Sequence, residues 1–163
     1  MQINRDELYK LYMEWVDRVS EDCDWKTSFE PEEIVYSIAN ILENNPTNDV
    51  GYAFSIKVKK FAQTNLDSNA SNRYINKLFM LSKVKKNECF KNYAQQCKTI
   101  QQFILGNALE ARRWAQLMLQ STAQNAEVDA LDVYHLAGIS YYTPPIEIDS
   151  TLKYWKMGFQ KAV

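Results

Sequence analysis

Arg73-Tyr-Ile-Asn-Lys-Leu-Phe-Met-Leu-Ser-Lys-Val84 decides how the chain is read. On a helical wheel Tyr74, Ile75, Leu78, Phe79 and Leu81 gather on one side, and Arg73, Asn76, Lys77 and Lys83 gather roughly opposite. That is the period of an amphipathic helix whose polar face is basic.

The same period recurs on both sides. Upstream, Val50, Phe54, Val58 and Phe61 form a stripe in a helix that Thr47, Asn48 or Asp49 can cap, with Lys57 and Lys60 on its exposed side. The polar run from Thr64 to Asn72 reads as a loop between the two helices. Downstream, Phe90, Tyr93, Cys97, Ile100 and Ile104 stand at near-heptad spacing, and Gly106-Asn107 marks a turn. A helix from Ala108 to about Gln120 carries Ala111, Trp114, Ala115 and Met118 beside Arg112 and Arg113. Residues 121–127 read as a connection, and Asp129 to Gly138 as a short helix with Leu131 and Tyr134 inward. Pro144-Pro145 makes Ile139 to Ile148 an extended linker. Asp149 or Ser150 then caps a last helix with Leu152, Trp155 and Phe159.

Towards the N-terminus, Asn4 and Glu7 form a capping pair for a helix with Leu8, Leu11, Tyr12, Trp15, Val16 and Val19 on one face. Ser20 to Ser28 reads as a loop. Pro31, Glu32 and Glu33 suit the first turn of a second helix, which buries Ile34, Val35, Ile38, Ile41 and Leu42 and ends at Asn44-Asn45-Pro46. The expectation is an all-α bundle of seven to eight short antiparallel helices. Residues 1–163 read as one helical domain, with an acidic N-terminal lobe over 1–47 and a basic to neutral lobe over 48–163.

Composition agrees. Apolar residues make up 46% of the chain, while four glycines and four prolines are few for a β-rich protein. No apolar run approaches the ~20 residues of a membrane span, and the opening residues are too polar for a secretion signal. Cys23, Cys89 and Cys97 form no CxxC pair and suit a reducing, cytoplasmic setting.

Charge is distributed unevenly. From Lys57 to Lys98 ten basic residues meet two acids, whereas residues 1–56 hold four basic and twelve acidic ones. A net charge of −1 therefore conceals an acidic third and a basic middle, the pattern of a polyanion-binding protein. A solvated surface that offsets the acidic lobe is the plainer explanation. Against it, carboxylates within the segment cannot neutralise it, and Asn72, Asn76, Asn87, Asn92, Gln95 and Gln96 are interleaved as further groups suited to sugar and phosphate.

Catalytic constellations are missing. His135, the only histidine, has no neighbour at metal-ligand spacing, and no GxGxxG, GxxxxGK or GxSxG is present. Cys89 and Cys97 lie on or beside apolar faces, and the pairs Asp129/Asp132 and Glu32/Glu33 read as helix-start acids. The chain reads as a non-enzyme without cofactor, metal or small-molecule substrate.

Two resemblances accompany this reading. Gly51-Tyr-Ala-Phe54, Arg73-Tyr74 with Leu78 and Leu81, the helix Glu88 to Ile104, Trp114-Ala-Gln-Leu-Met118 and Trp155-Lys-Met-Gly-Phe159 resemble the small helical subunit of type I-E CRISPR surveillance complexes (Cascade). The resemblance implies an all-α, non-catalytic subunit whose basic surface, with Arg73, Lys77, Lys83 and Lys86, steadies guide RNA and a DNA strand. The acidic residues 1–56 and the segment 121–148 depart from that pattern. Ala130 to Tyr142 followed by Asp149 to Ala162 is similar to a tetratricopeptide or Sel1-like hairpin, with Tyr134, Gly138, Tyr141, Tyr154 and Trp155 near packing positions.

The sequence thus leads to a helical subunit of a larger complex that binds the backbone of RNA or single-stranded DNA. Lys57, Lys60, Arg73, Lys77, Lys83, Lys86, Lys91, Arg112 and Arg113 are the candidate contacts. The alternative is a protein–protein adaptor or inhibitor, phage- or plasmid-encoded or of helical-repeat type, that docks through acidic residues such as Asp17, Glu21, Asp22, Asp24, Glu30, Glu32 and Glu33.

Overall fold

A computed structural model describes residues 40–44, 46–64, 68–123, 128 and 130–162. Among them every regular element is a helix: α1 (Asn48–Thr64), α2 (Ser68–Val84), α3 (Glu88–Ile104), α4 (Ala108–Ala123), α5 (Ala130–Tyr142) and α6 (Ile148–Ala162). Residues 40–44 are helical as well. The helix expected from Asn4 to Val19, and most of the one opening at Pro31, lie outside the described residues. No described helix is long and apolar enough to cross a membrane.

α3 is the centre. It packs against α1, α2, α4 and α5, while α6 lies on α5. Its apolar side chains Phe90, Tyr93, Ala94, Cys97 and Ile100 join Phe54, Val58, Ile75, Leu78, Met118 and Val133 in one core cluster. A helix enclosed from so many directions would ordinarily be apolar all round. α3 instead buries Asn92, Gln95, Gln96, Thr99 and Gln101 as well, and each has a partner. Asn92 donates to the Met118 carbonyl at 3.0 Å and to Thr122 Oγ1 at 2.9 Å. Gln96 donates to Asn92 Oδ1 at 2.7 Å, and Ser121 donates to Gln95 Oε1 at 2.7 Å.

Short corners fold consecutive helices back on one another. Asn87 caps α3 by accepting from the Cys89 and Phe90 amides at 3.0 and 3.3 Å. At the start of the core, a Cβ on Gly51 would fall within the ring of Phe90, so α1 reaches α3 only because that position lacks a side chain.

Four readings of the sequence change. Helix α2 begins at Ser68, inside the stretch expected to be a loop. Asn72 Oδ1 accepts from Lys98 at 2.5 Å and from Gln101 at 3.1 Å, so α3 holds the polar first turns of α2 in place. α5 runs on to Tyr142, four residues past its expected end, because Tyr141 stacks on Tyr154 with centroids 5.4 Å apart and Ser140 is buried. The extended linker is correspondingly shorter. Leu131 is 46% exposed, and the inward positions of α5 are Val133, Leu136, Ala137 and Ser140. The last change is in α6, where Leu152 and Phe159 face solvent, Trp155 lies over Gly138 of α5 and donates to the His135 carbonyl at 3.3 Å, and Thr151, Tyr154 and Gly158 turn inward.

Gly51→Ala is expected to lower stability by roughly 1–3 kcal/mol, since Phe90 is fully buried and has no room to yield. A urea melt followed by circular dichroism measures it, and a midpoint within error of wild type would mean that α1 and α3 can separate without cost.

Candidate nucleic-acid interface

The basic side chains of the central helices do not form one continuous stripe. Lys57, expected on the outer face of α1, is only 4% exposed. α1 buries a wider arc than its apolar stripe predicts, taking in Ser55, Lys57 and Ala62 beside Phe54 and Val58. Burial lowers the Lys57 ammonium pKa from 10.5 to about 8. Lys60 is half-buried on the same helix.

Carboxylates claim several others. Lys77 pairs with Glu43, Lys91 with Glu88 at 3.7 Å and Arg113 with Glu110 at 3.3 Å. The Lys91 and Arg113 pairs are exposed, so water screens them and leaves the cations accessible. Arg112 has a different task. Its guanidinium donates to the Ser140 carbonyl at 3.3 Å, to the Thr143 carbonyl at 3.1 Å and to the Pro145 carbonyl, and it pairs with Glu147 at 3.1 Å. Those carbonyls belong to the end of α5 and the turn after it, which lack donors of their own. Arg112 is therefore a cap and leaves the candidate interface.

The interleaved amides also go elsewhere. Asn92, Gln95 and Gln96 are inside, Asn87 caps α3 and Asn72 binds Lys98 and Gln101. Asn76 alone of the six is exposed.

What remains is one face of α2 and the corner after it. Arg73, Lys83 and Lys86 are exposed, and so is Lys85, which the sequence-based set omits although it stands in the run Lys83-Val-Lys-Lys86. None of these four has an ion-pair or side-chain hydrogen-bond partner among the described residues. Arg73 and Lys83 lie ten residues apart, about 15 Å along the helix. Asn76 and Met80 are exposed between them. The acidic residues of the N-terminal lobe from Asp6 to Glu33 lie outside the described residues.

The corner has an unusual backbone. Lys86 holds φ at 49°, the left-handed region, while the Asn87 amide donates back to the Ser82 carbonyl at 2.9 Å. The end of α3 repeats this cap with glycine: Gly106 has φ 75°, and the Asn107 amide donates to the Gln102 carbonyl at 2.9 Å. The chain thus makes one helix stop twice, once with the residue that suits it and once with a lysine.

Other reactive groups are occupied or enclosed. Cys97 donates to the Ser55 carbonyl at 3.4 Å, and burial pushes its thiol pKa up to about 12. His135 stacks on Trp155 with centroids 6.2 Å apart. Among the described residues no group of His, Cys, Asp and Glu side chains is placed to hold a metal ion.

No family model, curated protein or solved structure matches this chain.

Lys57 carries a consequence for pH. Between about 8 and 10.5 the unfolded chain keeps this proton and the folded chain has lost it, so raising pH through that window favours the fold. Below it both states are charged, and the fold bears the cost of burying the ammonium. Urea midpoints of wild type and Lys57→Met, compared from pH 7 to 10.5, should converge as pH rises. A difference independent of pH would mean that Lys57 is not buried as an ammonium.

Proposed function

We propose that the chain is a non-catalytic helical subunit that holds the backbone of RNA or single-stranded DNA within a larger complex. Contact is made through the outer face of α2 and the corner that follows it. Arg73, Lys83, Lys85 and Lys86 touch phosphates, Lys91 and Arg113 flank them, and no base is read.

One observation carries the reading: a lysine occupies the left-handed position of the α2 cap, where Gly106 serves at the end of α3. Lysines near the end of a helix are favoured by its dipole, which would explain Lys83 without any ligand. The dipole does not explain a side chain where glycine is about 1 kcal/mol better. Nor does it explain Arg73, which lies in the half of α2 where the dipole disfavours a cation. Backbone strain retained for a charged side chain is a mark of a site in use. The resemblance to the small Cascade subunit is the reason for favouring a single strand in a ribonucleoprotein complex over duplex DNA.

Fluorescence anisotropy of labelled single-stranded RNA and DNA over a salt series tests the proposal. Four contacts give a log–log salt slope of about −3, and removing Lys83, Lys85 and Lys86 together as alanines reduces it by about 2 units. Absence of salt-dependent binding to either strand would reject it. Lys86→Gly is a sharper probe, because it should raise stability by about 1 kcal/mol while weakening binding. A stabilised variant with wild-type affinity would leave the lysine without a purpose.

A further inference from the structure

The face of α2 that carries the cations is not uniformly polar. At about 100° per residue, the order round the helix is Phe79, then Lys83 and Asn76, then Met80, then Arg73 and Val84. Met80 and Val84 are 50% and 68% exposed, and Phe79 is half-buried. Cationic and apolar side chains therefore alternate across the surface.

α4 adds a larger ring. Trp114 is half-buried and meets Phe79 with centroids 5.7 Å apart and planes at 44°, and the Arg113 guanidinium stands 5.3 Å from the Trp114 centroid. One side of α3 runs along the gap between α2 and α4. On it Lys98 donates to Asn72 of α2, and Gln95, one turn earlier, accepts from Ser121 of α4 at 2.7 Å. Lys91 lies one further turn along that side and is exposed. Three helices thus offer cations to the ring pair: Lys83 from α2, Lys91 from α3 and Arg113 from α4. Glu43, Glu88 and Glu110 border the area, and each is held by a cation, respectively Lys77, Lys91 and Arg113.

Clipping α2 to α4 accounts for the ring pair alone. It leaves the exposed Met80 and Val84, and the cations around them, without a use. Duplex nucleic acid keeps the flat faces of its bases stacked inside, so it offers these apolar groups little. A single strand presents phosphates and unpaired bases in turn, which matches the alternation on this surface.

We propose that Phe79 and Trp114 form a platform on which an unpaired base of single-stranded RNA or DNA stacks, while Lys83, Lys91 and Arg113 take the phosphates on either side. Met80 and Val84 receive the sugar or base of a neighbouring nucleotide. Every base has a flat face, so stacking adds affinity without sequence preference. The platform rests on the backbone-binding role proposed for α2 and directs it to unpaired strands.

Fluorescence anisotropy at fixed salt, with three labelled ligands of equal length, tests it: an oligothymidylate strand, the same strand with abasic sugars throughout, and a duplex. Wild type should bind oligothymidylate about tenfold more tightly than the abasic strand. Trp114→Leu keeps an apolar side chain against Phe79. It should weaken oligothymidylate binding by about tenfold and leave the abasic strand and the duplex within about twofold of wild type. Equal wild-type affinity for the two strands overturns the platform, and if that binding depends on salt the backbone-binding role of α2 still stands. That comparison needs no variant, so it decides even where Trp114→Leu disturbs the fold. A Trp114→Leu variant weakened equally towards all three ligands overturns the platform as well and makes Trp114 a clip between helices. If none of the three ligands shows salt-dependent binding, the platform and the role it rests on are rejected together.

Discussion

Neighbours cover most of α3, so the amides on its buried faces must find their partners inside the protein. Asn92 and Gln95 do so against the last turns of α4, through the Met118 carbonyl and the hydroxyls of Ser121 and Thr122, while Gln96 donates to Asn92 and accepts from Lys59 of α1. Gln101 and Lys98 do so against the first turns of α2. Each such bond contributes about 1 kcal/mol net, but each one left open would cost about 1–3 kcal/mol. The asymmetry fixes register. Apolar side chains would tolerate a slide of α4 along α3, whereas Asn92 satisfied by one carbonyl and two hydroxyls does not. The surrounding helices therefore take their positions from α3.

The corners follow from the same arrangement. α2 and α4 begin and end where α3 needs them, so the connections before and after α3 are forced to be three residues long and to stop a helix abruptly. Both adopt a left-handed residue followed by asparagine, Lys86-Asn87 and Gly106-Asn107. Asn87 both ends one helix and starts the next, accepting from two amides while donating to Asn48 at 2.7 Å. A corner so constrained leaves Lys85 and Lys86 exposed.

The regular elements were legible because periodicity is a local property. The stripes Val50-Phe54-Val58-Phe61 and Phe90-Tyr93-Cys97-Ile100 are buried as their spacing implies. Features that depend on a neighbour's position were hidden. Ser68 to Asn72 has the composition of a loop, and only Lys98 and Gln101, about thirty residues away, make it a helix. Ile139 to Tyr142 reads as linker because two prolines follow it, although Tyr154 and Gln116 claim Tyr141. The candidate site suffered most. Spacing places Lys57 on a face but does not say how wide the covered arc is. Arg112 reads as a free cation until the carbonyls of Ser140, Thr143 and Pro145 are beside it. In α6 the stripe of Leu152, Trp155 and Phe159 is plain, but a period identifies a face without saying that the protein itself fills the space opposite.

The enclosure of α3 also governs its sulfur chemistry. Cys89 and Cys97 are both buried, and Cys97 is held protonated far above neutral pH. Alkylating reagents and peroxide act on the exposed thiolate, so neither residue reacts while the helices remain closed around it. The two positions lie two turns apart on the innermost helix. With Cys23 replaced by serine, the rate at which each is alkylated becomes a clock for how often the middle of the molecule opens, read at two points along a single element.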